Sequence, residues 1–227
     1  QEVPYSEMRW HNFKDMESAK MLNRVRNDAF IFLRHIGGEG SAYSQAMEDT
    51  VFQITNARLL SRVVEGIEEL ASDGADMMGD IYEYMLGKMA ASGTNGQFRT
   101  PRHIIRMMVE LMRPTLDDII CDPAMGSAGF IMEAAKYIAE HQGDELLNID
   151  NRNRYRNEIF HGSDSDASMM RIGCMNMMLH DVDEPQLHYR NSLSNENNDT
   201  NKYTLCLANP PFAGSLDADD IAHTLKA

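Results

Sequence analysis

The sequence predicts an α/β domain built on a mainly parallel sheet and preceded by an all-helical N-terminal domain. Three observations carry that reading. Residues 1–95 place apolar side chains at helical spacing and contain no convincing strand. From residue 96 to 227 short apolar runs alternate with helical patterns, the texture of parallel strands covered by helices. Between them "ASGTNG" (91–96) is a small-residue linker that marks the domain boundary.

Each element follows in order. "DMESAKMLNRVRNDAFIFLRHI" (15–36) reads as a helix from Met21, Leu22, Val25, Ala29, Phe32, Leu33 and Ile36, ended by Gly37-Gly38. "LLSRVVEGIEEL" (59–70) repeats the pattern with Leu59, Leu60, Val63, Val64, Ile67 and Leu70. "MMGDIYEYMLGKMA" (77–90) aligns Ile81, Tyr82, Met85, Leu86 and Met89, a methionine-rich stripe that reads as core filling. Thr100 then reads as an N-cap with Pro101 at the first helical position, and Ile104, Ile105, Met108, Leu111 and Met112 as the buried stripe. Strands are expected at 118–122, 158–164, 187–190 and 203–208, with helices at 127–141 and 166–180. The polar stretch "GDELLNIDNRNRYRN" (143–157) reads as an exposed insertion, and no internal repeat is present.

Composition narrows the function classes. At 227 residues, 25% charged and 43% hydrophobic, the chain has ample length for a real core. No stretch approaches the ~20 apolar residues of a membrane span. The first residues carry no signal pattern and no initial Met, so the chain reads as an excised or processed piece. Cys121, Cys174 and Cys206 are widely spaced and odd in number, which argues against a disulfide framework or a zinc site. The expectation is buried, reduced thiols in a cytoplasmic protein. The eight His residues show no metal-ligand spacing, so no metal is expected. The net charge of −14 predicts a poor DNA binder on its own, because phosphate neutralisation dominates such affinity. If the chain acts on nucleic acid, a partner must supply much of the grip.

The chemistry-bearing stretches fall at strand ends. "DPAMGSAGF" (122–130) opens a helix after the first strand, where α/β sheets bind nucleotide-like ligands. Gly126 and Gly129 let the backbone turn and approach a ligand, although neither a dinucleotide fingerprint nor a P-loop is complete. Asp122 leads the turn, which suits a cofactor with a cationic end such as an amino acid's ammonium. Asp164 ends the second strand, where a carboxylate can accept both ribose hydroxyls. Its distance from Asp122 exceeds the usual ~20 residues, and the polar insertion accounts for the excess. Asp166 is better placed to cap the following helix. Asn191, after the third strand, suits either an adenine edge or a turn.

The fourth strand ends in "LCLANPPF" (205–212). Pro210-Pro211 stops sheet pairing, and the corner presents an amide and an aromatic ring. One reading is a strand that merely stops. The other is an amine-aligning corner. In it the Asn209 side-chain carbonyl and the Pro210 backbone carbonyl accept hydrogen bonds from an exocyclic NH₂. Phe212 then stacks on the group that bears the amine.

Taken in order, "GQFRTPR" (96–102), "DPAMGSAGF" and NPPF resemble the amino-methyltransferases that act on adenine N6 in DNA. The helical leader, "DIYEYMLGKMA" and "MNMMLHD" (175–181) narrow the resemblance to the modification subunit of type I restriction–modification systems, over about residues 45–215. The resemblance implies a Rossmann-like methyltransferase sheet, with domains at 1–95 and 96–227. It implies S-adenosylmethionine as cofactor, held by Gln97, Phe98, Arg99, Thr100, Pro101 and Arg102, by Ser127, Ala128 and Gly129, and by Asp164. Asn209, Pro210, Pro211 and Phe212 would be the catalytic set. A separate specificity subunit would read the DNA, with a restriction subunit as further partner.

The chain departs from the family pattern in places. Arg99 stands where a second aromatic is usual, Ala128 where glycine is common, and Asn191 where many relatives use aspartate on the cofactor's adenine. The chain also stops soon after Phe212, whereas the family fold continues. A sheet truncated after its fourth strand, with a raw outer edge there, is therefore expected. Two rivals share parts of the pattern. A glutamine-amide methyltransferase usually carries Tyr in place of Phe212 and lacks the helical leader. An inactive cofactor-binding scaffold has no need of an amine-aligning corner.

Overall fold

The computed structural model describes residues 3–36, 38, 40–71, 77–91, 100–210 and 221. The chain divides into two compact units, Gln1–Tyr84 and Met85–Ala227. The expected linker, from residue 92 to 96, lies outside the described residues.

The N-terminal unit is helical among its described residues. Helices α1 (Trp10–Phe13) and α2 (Ser18–Arg24) are followed by a π-helical turn, Val25–Ala29, that runs into α3 (Phe30–Leu33). Then come α4 (Ala42–Met47) and α5 (Ala57–Ala71), and the division between units falls inside α6 (Met77–Ala91). Phe13, Met21, Leu60 and Val64 form the core, flanked by Trp10, Leu22, Val25 and Phe52. The Trp10 indole N–H donates to Glu68 at 2.6 Å, and Lys14 pairs with the same carboxylate.

The stripe expected over 15–36 is only half right. The π turn adds a residue to the helical repeat and rotates the apolar face. Phe30 therefore packs edge-on against Phe52, at 5.3 Å between ring centroids, while Leu33 and Ile36 are exposed. Leu59, Val63 and Met85 are exposed as well. Periodicity alone drew those stripes wider than the face that finds a partner.

The C-terminal unit contains α7 (Arg102–Met112), β1 (Ile120–Asp122), α8 (Gly129–His141), α9 (Ile149–Asn157), β2 (Phe160–Asp164), α10 (Ala167–Met178), β3 (Gln186–Tyr189) and β4 (Leu205–Cys206). The strands are parallel in the order β3-β2-β1-β4. Ile120 lies beside Phe160 on one side and Leu205 on the other. Ile120, Ile131, Ile138, Ile159, Phe160 and Val109 are almost wholly buried and form the core. Because all four strands run the same way, their carboxyl ends share one edge of the sheet, and the site is built there. Among the described residues β4 pairs only with β1, and no helix is long and apolar enough to cross a membrane.

Three expectations are corrected here. Thr100 does not cap α7: Pro101 is the N-cap residue, and its carbonyl accepts from the Ile104 and Ile105 N–H groups at 2.9 and 3.1 Å. The buried line of α7 is Ile105 and Val109, whereas Leu111 and Met112 are exposed. Those two lie at the end of the helix, just before Arg113 turns it off in a left-handed conformation (φ 51). The 143–157 insertion is mostly exposed, as expected, and it carries α9, which anchors it. Tyr155 is buried there, donates to the Ala135 carbonyl at 3.1 Å and meets Phe160 edge-on. Finally, Cys121 and Cys174 are buried thiols, but Cys206 on the edge strand is exposed.

Gly162 of β2 fixes how closely the loop after β1 approaches the sheet. A Cβ at this position would lie 2.5 Å from Met125 Sδ, 3.0 Å from Leu187 Cδ2 and 3.1 Å from Ile131 Cδ1. Three buried side chains converge on that space, so they cannot all give way together. Gly162→Ala should therefore destabilise the chain by about 1–3 kcal/mol, read as a lowered urea midpoint. An unchanged midpoint would show that Met125 is not held there.

Candidate active site

Strand β1 ends in Asp122, which is 1% exposed. Its Oδ1 accepts the Ala124 N–H at 3.0 Å, so the carboxylate itself shapes the first turn of the loop. Met125 donates its N–H to the Ser163 carbonyl at 3.0 Å and tucks its side chain against Gly162 and Gly173. Gly126 follows with φ +51, and nothing lies within 4 Å of where its Cβ would be. Its N–H donates to Asp164 Oδ2 at 2.9 Å. Ala128 then enters α8 in the left-handed region (φ 63), fully buried. Glycine would hold that conformation with less strain, which is the physical content of its being common there.

Gly129 supplies no left-handed turn, unlike Gly126, and has a packing role. Its φ is ordinary, and a Cβ would approach Ile105 Cδ1 to 3.1 Å. The missing side chain lets α7 lie close on α8. Ser127 is buried, and its carbonyl accepts from Asn176 Nδ2 of α10 at 2.9 Å. From the segment after β3, Ser192 Oγ donates to the Pro123 carbonyl at 2.5 Å. The loop is thus tied to β2, to α10 and to the chain beyond β3.

The electrostatics are acidic at the floor. Burial pushes the Asp122 carboxyl up to about 7, with the Ala124 N–H restraining the shift and the nearby Asp164 charge adding to it. Asp164 is partly exposed at the end of β2; besides Gly126 it accepts the Asp166 N–H through Oδ1 at 2.8 Å. Asp166 caps α10 by accepting from Ser168 and Met169. Asn191 Oδ1 accepts the Leu193 N–H at 3.0 Å, the turn alternative of its two readings.

Asn209 is partly buried just beyond β4, and its Nδ2 donates to the Thr100 Oγ1 at 2.9 Å. The structure therefore brings Asp122, Gly126, Ser127, Ala128, Gly129 and Asp164 into one cradle, and joins Asn209 to Thr100 at the same end of the sheet. Pro101 and Arg102 open α7, while Pro210 follows Asn209 and is exposed. Gln97, Phe98, Arg99, Pro211 and Phe212 lie outside the described residues. Sequence reasoning missed Met125, Ser192 and the two glycines that seat Met125. It passed over Asn176 except as a letter in "MNMMLHD". Among the described residues no group of three or more His, Cys, Asp or Glu side chains could hold a metal ion.

This arrangement defines a ligand cradle beside a polar corner in a parallel α/β sheet. The N-6 DNA Methylase family matches residues 73–226, and the chain belongs to that family. The methylase subunit of the type I restriction enzyme StySPI from Salmonella potsdam is 28% identical over 231 residues, covering 95% of this chain and 43% of its own length. The EcoKI methylase subunit from Escherichia coli K12 is 29% identical over the same span, with the same coverage. Among solved structures, a chain of a type I R-M system studied for complex assembly and conformational transition superposes with a TM-score of 0.71. It is 25% identical and is matched over 95% of this chain and 45% of its own. A type I methyltransferase subunit from Streptococcus thermophilus shares the fold at a TM-score of 0.66 and 19% identity, over 95% of this chain and 46% of its own. The chain spans less than half the length of these relatives.

The buried acid makes a pH-dependent signature. The folded Asp122 holds its proton to about 7, whereas an unfolded Asp releases it near ~3.9. Its stabilising contribution is complete below the unfolded value and is lost as pH rises through about 7. Asp122→Asn keeps an oxygen for the Ala124 N–H and removes the charge. In thermal unfolding without added ligand, this variant should melt a few degrees above wild type at pH 8, each kcal/mol being worth roughly 2–4 °C for a chain of this size. The difference should shrink toward pH 4–5. A difference independent of pH would contradict the shifted acid.

Proposed function

We propose that this chain carries the S-adenosylmethionine site and the target-amine site of an enzyme that methylates N6 of adenine in DNA. It would act in the cytoplasm as the modification subunit of a type I restriction–modification complex. A specificity subunit would read the DNA sequence, and a restriction subunit would complete the assembly. The supporting observation is one of placement. Asp122, Asp164 and Asn209 stand at the carboxyl ends of three adjacent parallel strands, so a cofactor cradle and an amine corner share one edge. Membership of the N-6 DNA Methylase family supports the same reading. So does the acidic charge of −14, which suits a chain that leaves the DNA grip to partners.

The residues fit the cofactor. Gly126 leaves open space in front of the loop, and the buried Asp122 offers a carboxylate to an ammonium. A cation there would draw the Asp122 proton off and stabilise the charged form. Asp164 directs its oxygens to two backbone N–H groups and keeps further lone pairs for ribose hydroxyls. When bound, S-adenosylmethionine supplies a methyl group on a cationic sulfur. Asn209 Oδ1 and the Pro210 carbonyl accept the two hydrogens of the adenine amine. They would hold its lone pair out of the ring plane and stabilise the positive charge that grows on nitrogen as the N–C bond forms and the S–C bond breaks, after which the nitrogen would release one proton to solvent. In this reading Phe212, outside the described residues, would stack on the extruded base.

The decisive experiment follows labelled methyl transfer to unmodified duplex DNA by the whole protein with its specificity partner. Asn209→Ala should lower the rate by ~10²-fold or more, the usual loss for one preorganised polar group, while cofactor affinity stays nearly unchanged. Near-normal methylation by this variant, with the fold intact, would make the corner a strand end and nothing more.

Cofactor binding has its own measurement. Calorimetry should show S-adenosylmethionine binding to the wild type and ~10-fold or greater weakening in Asp164→Ala, which loses a charged acceptor for the ribose hydroxyls. Binding of NAD in place of S-adenosylmethionine would refute this assignment of the cradle.

A further inference from the structure

We infer that Thr100 is a positioning residue that holds the Asn209 side chain in place at the corner. The inference rests on the methyltransferase reading above and adds a residue to its machinery. An asparagine amide is nearly symmetric in shape, but its two ends are opposite in hydrogen bonding. With Oδ1 toward the substrate, the corner accepts an amine hydrogen. Flipped, it would present its own NH₂ to another NH₂, and donor would face donor. The side chain therefore has to be held from behind, with its NH₂ end engaged.

Among the described residues Thr100 is the side-chain hydrogen-bond partner of Asn209, and because its hydroxyl can donate as well as accept, what it fixes is the position of the Asn209 side chain. Asn209 Nδ2 donates to Thr100 Oγ1 at 2.9 Å, across a separation of 109 residues. That bond engages the NH₂ end, and among the described residues no hydrogen bond to Oδ1 is present, so Oδ1 can face the substrate. Thr100 is itself held stiffly. Pro101 follows with its φ fixed at −56, and its carbonyl anchors the first turn of α7 through Ile104 and Ile105. Helix α7 in turn lies on α8 where Ile105 meets the bare Gly129. Asn209 is thereby referenced to the helix that begins at the cofactor cradle. A shift between the methyl donor and the amine is resisted by one continuous set of packed elements.

The resemblance assigns Thr100 to the cofactor, and the two roles separate experimentally. Thr100→Val is nearly isosteric and removes the acceptor; Thr100→Ser restores it. In the whole protein with its specificity partner, single-turnover methyl transfer is measured at saturating cofactor and saturating unmodified DNA. Thr100→Val should be slower by ~10–100-fold, the loss expected when one active-site polar group is misaligned. Cofactor affinity should change by less than ~3-fold, and Thr100→Ser should recover most of the rate. In an Asn209→Ala background, Thr100→Val should cause no further loss, because a residue that acts only through Asn209 has nothing left to position. Hydrogen exchange at the Asn209 side-chain NH₂ should also quicken in Thr100→Val, a readout that needs no turnover.

The opposite results are equally definite. A wild-type rate in Thr100→Val, or a loss confined to cofactor affinity, removes the positioning role and leaves the methyltransferase reading standing. Full additivity with Asn209→Ala also removes it. A wild-type complex that transfers no methyl group to adenine overturns both.

Discussion

The hydrogen bond from the Gly126 N–H to Asp164 joins the loop after the first strand to the end of the second, and much of the site's geometry hangs on it. Gly126 reaches that acceptor because its φ of +51 turns the N–H toward β2. The same turn drops Met125 into the space left by Gly162 and Gly173, and lifts Ala128 into the left-handed entry to α8. If the bond moved, the methionine seat and the start of α8 would have to move with it. A charged acceptor makes this a stronger bond than a neutral one, which suits a loop whose shape must survive ligand exchange.

The price of that geometry is two carboxylates held close together. Asp164 remains partly open to solvent, whereas Asp122 is almost wholly buried and holds its proton toward neutrality. The fold thus keeps a buried acid that weakens the empty protein above neutral pH, at the position where a cationic group would relieve it. Stability and ligand recognition pull in opposite directions at this one residue, as they commonly do at functional sites.

Local pattern made the architecture readable, and distance hid the rest. The alternation of apolar runs and helical stripes gave the four strands and their helices, because side-chain period is a property of a few neighbouring residues. Asp122, Asp164 and Asn209 were legible because parallel strands gather their carboxyl ends at one edge. The π turn at Val25–Ala29 has no such local mark, so the outward turn of Leu33 and Ile36 could not be seen. Leu111 and Met112 look as apolar as the residues that α7 buries, and only α8 decides between them. Met125 depends on two glycines far along the chain, and the Thr100–Asn209 bond spans 109 residues. No window of sequence contains either relation.

The strand order has a consequence for how the chain is made. β1 lies between β2 and β4, yet β4 is synthesised last of the four strands. On the ribosome the loop, its Asp164 anchor and α10 are complete well before residue 205 emerges. Until then the central strand offers a bare row of N–H and C=O groups along one side. Such an edge invites pairing with another nascent chain. The short apolar run that delivers the asparagine corner also closes this gap, so the last strand of the four to be synthesised both protects the sheet and completes the site.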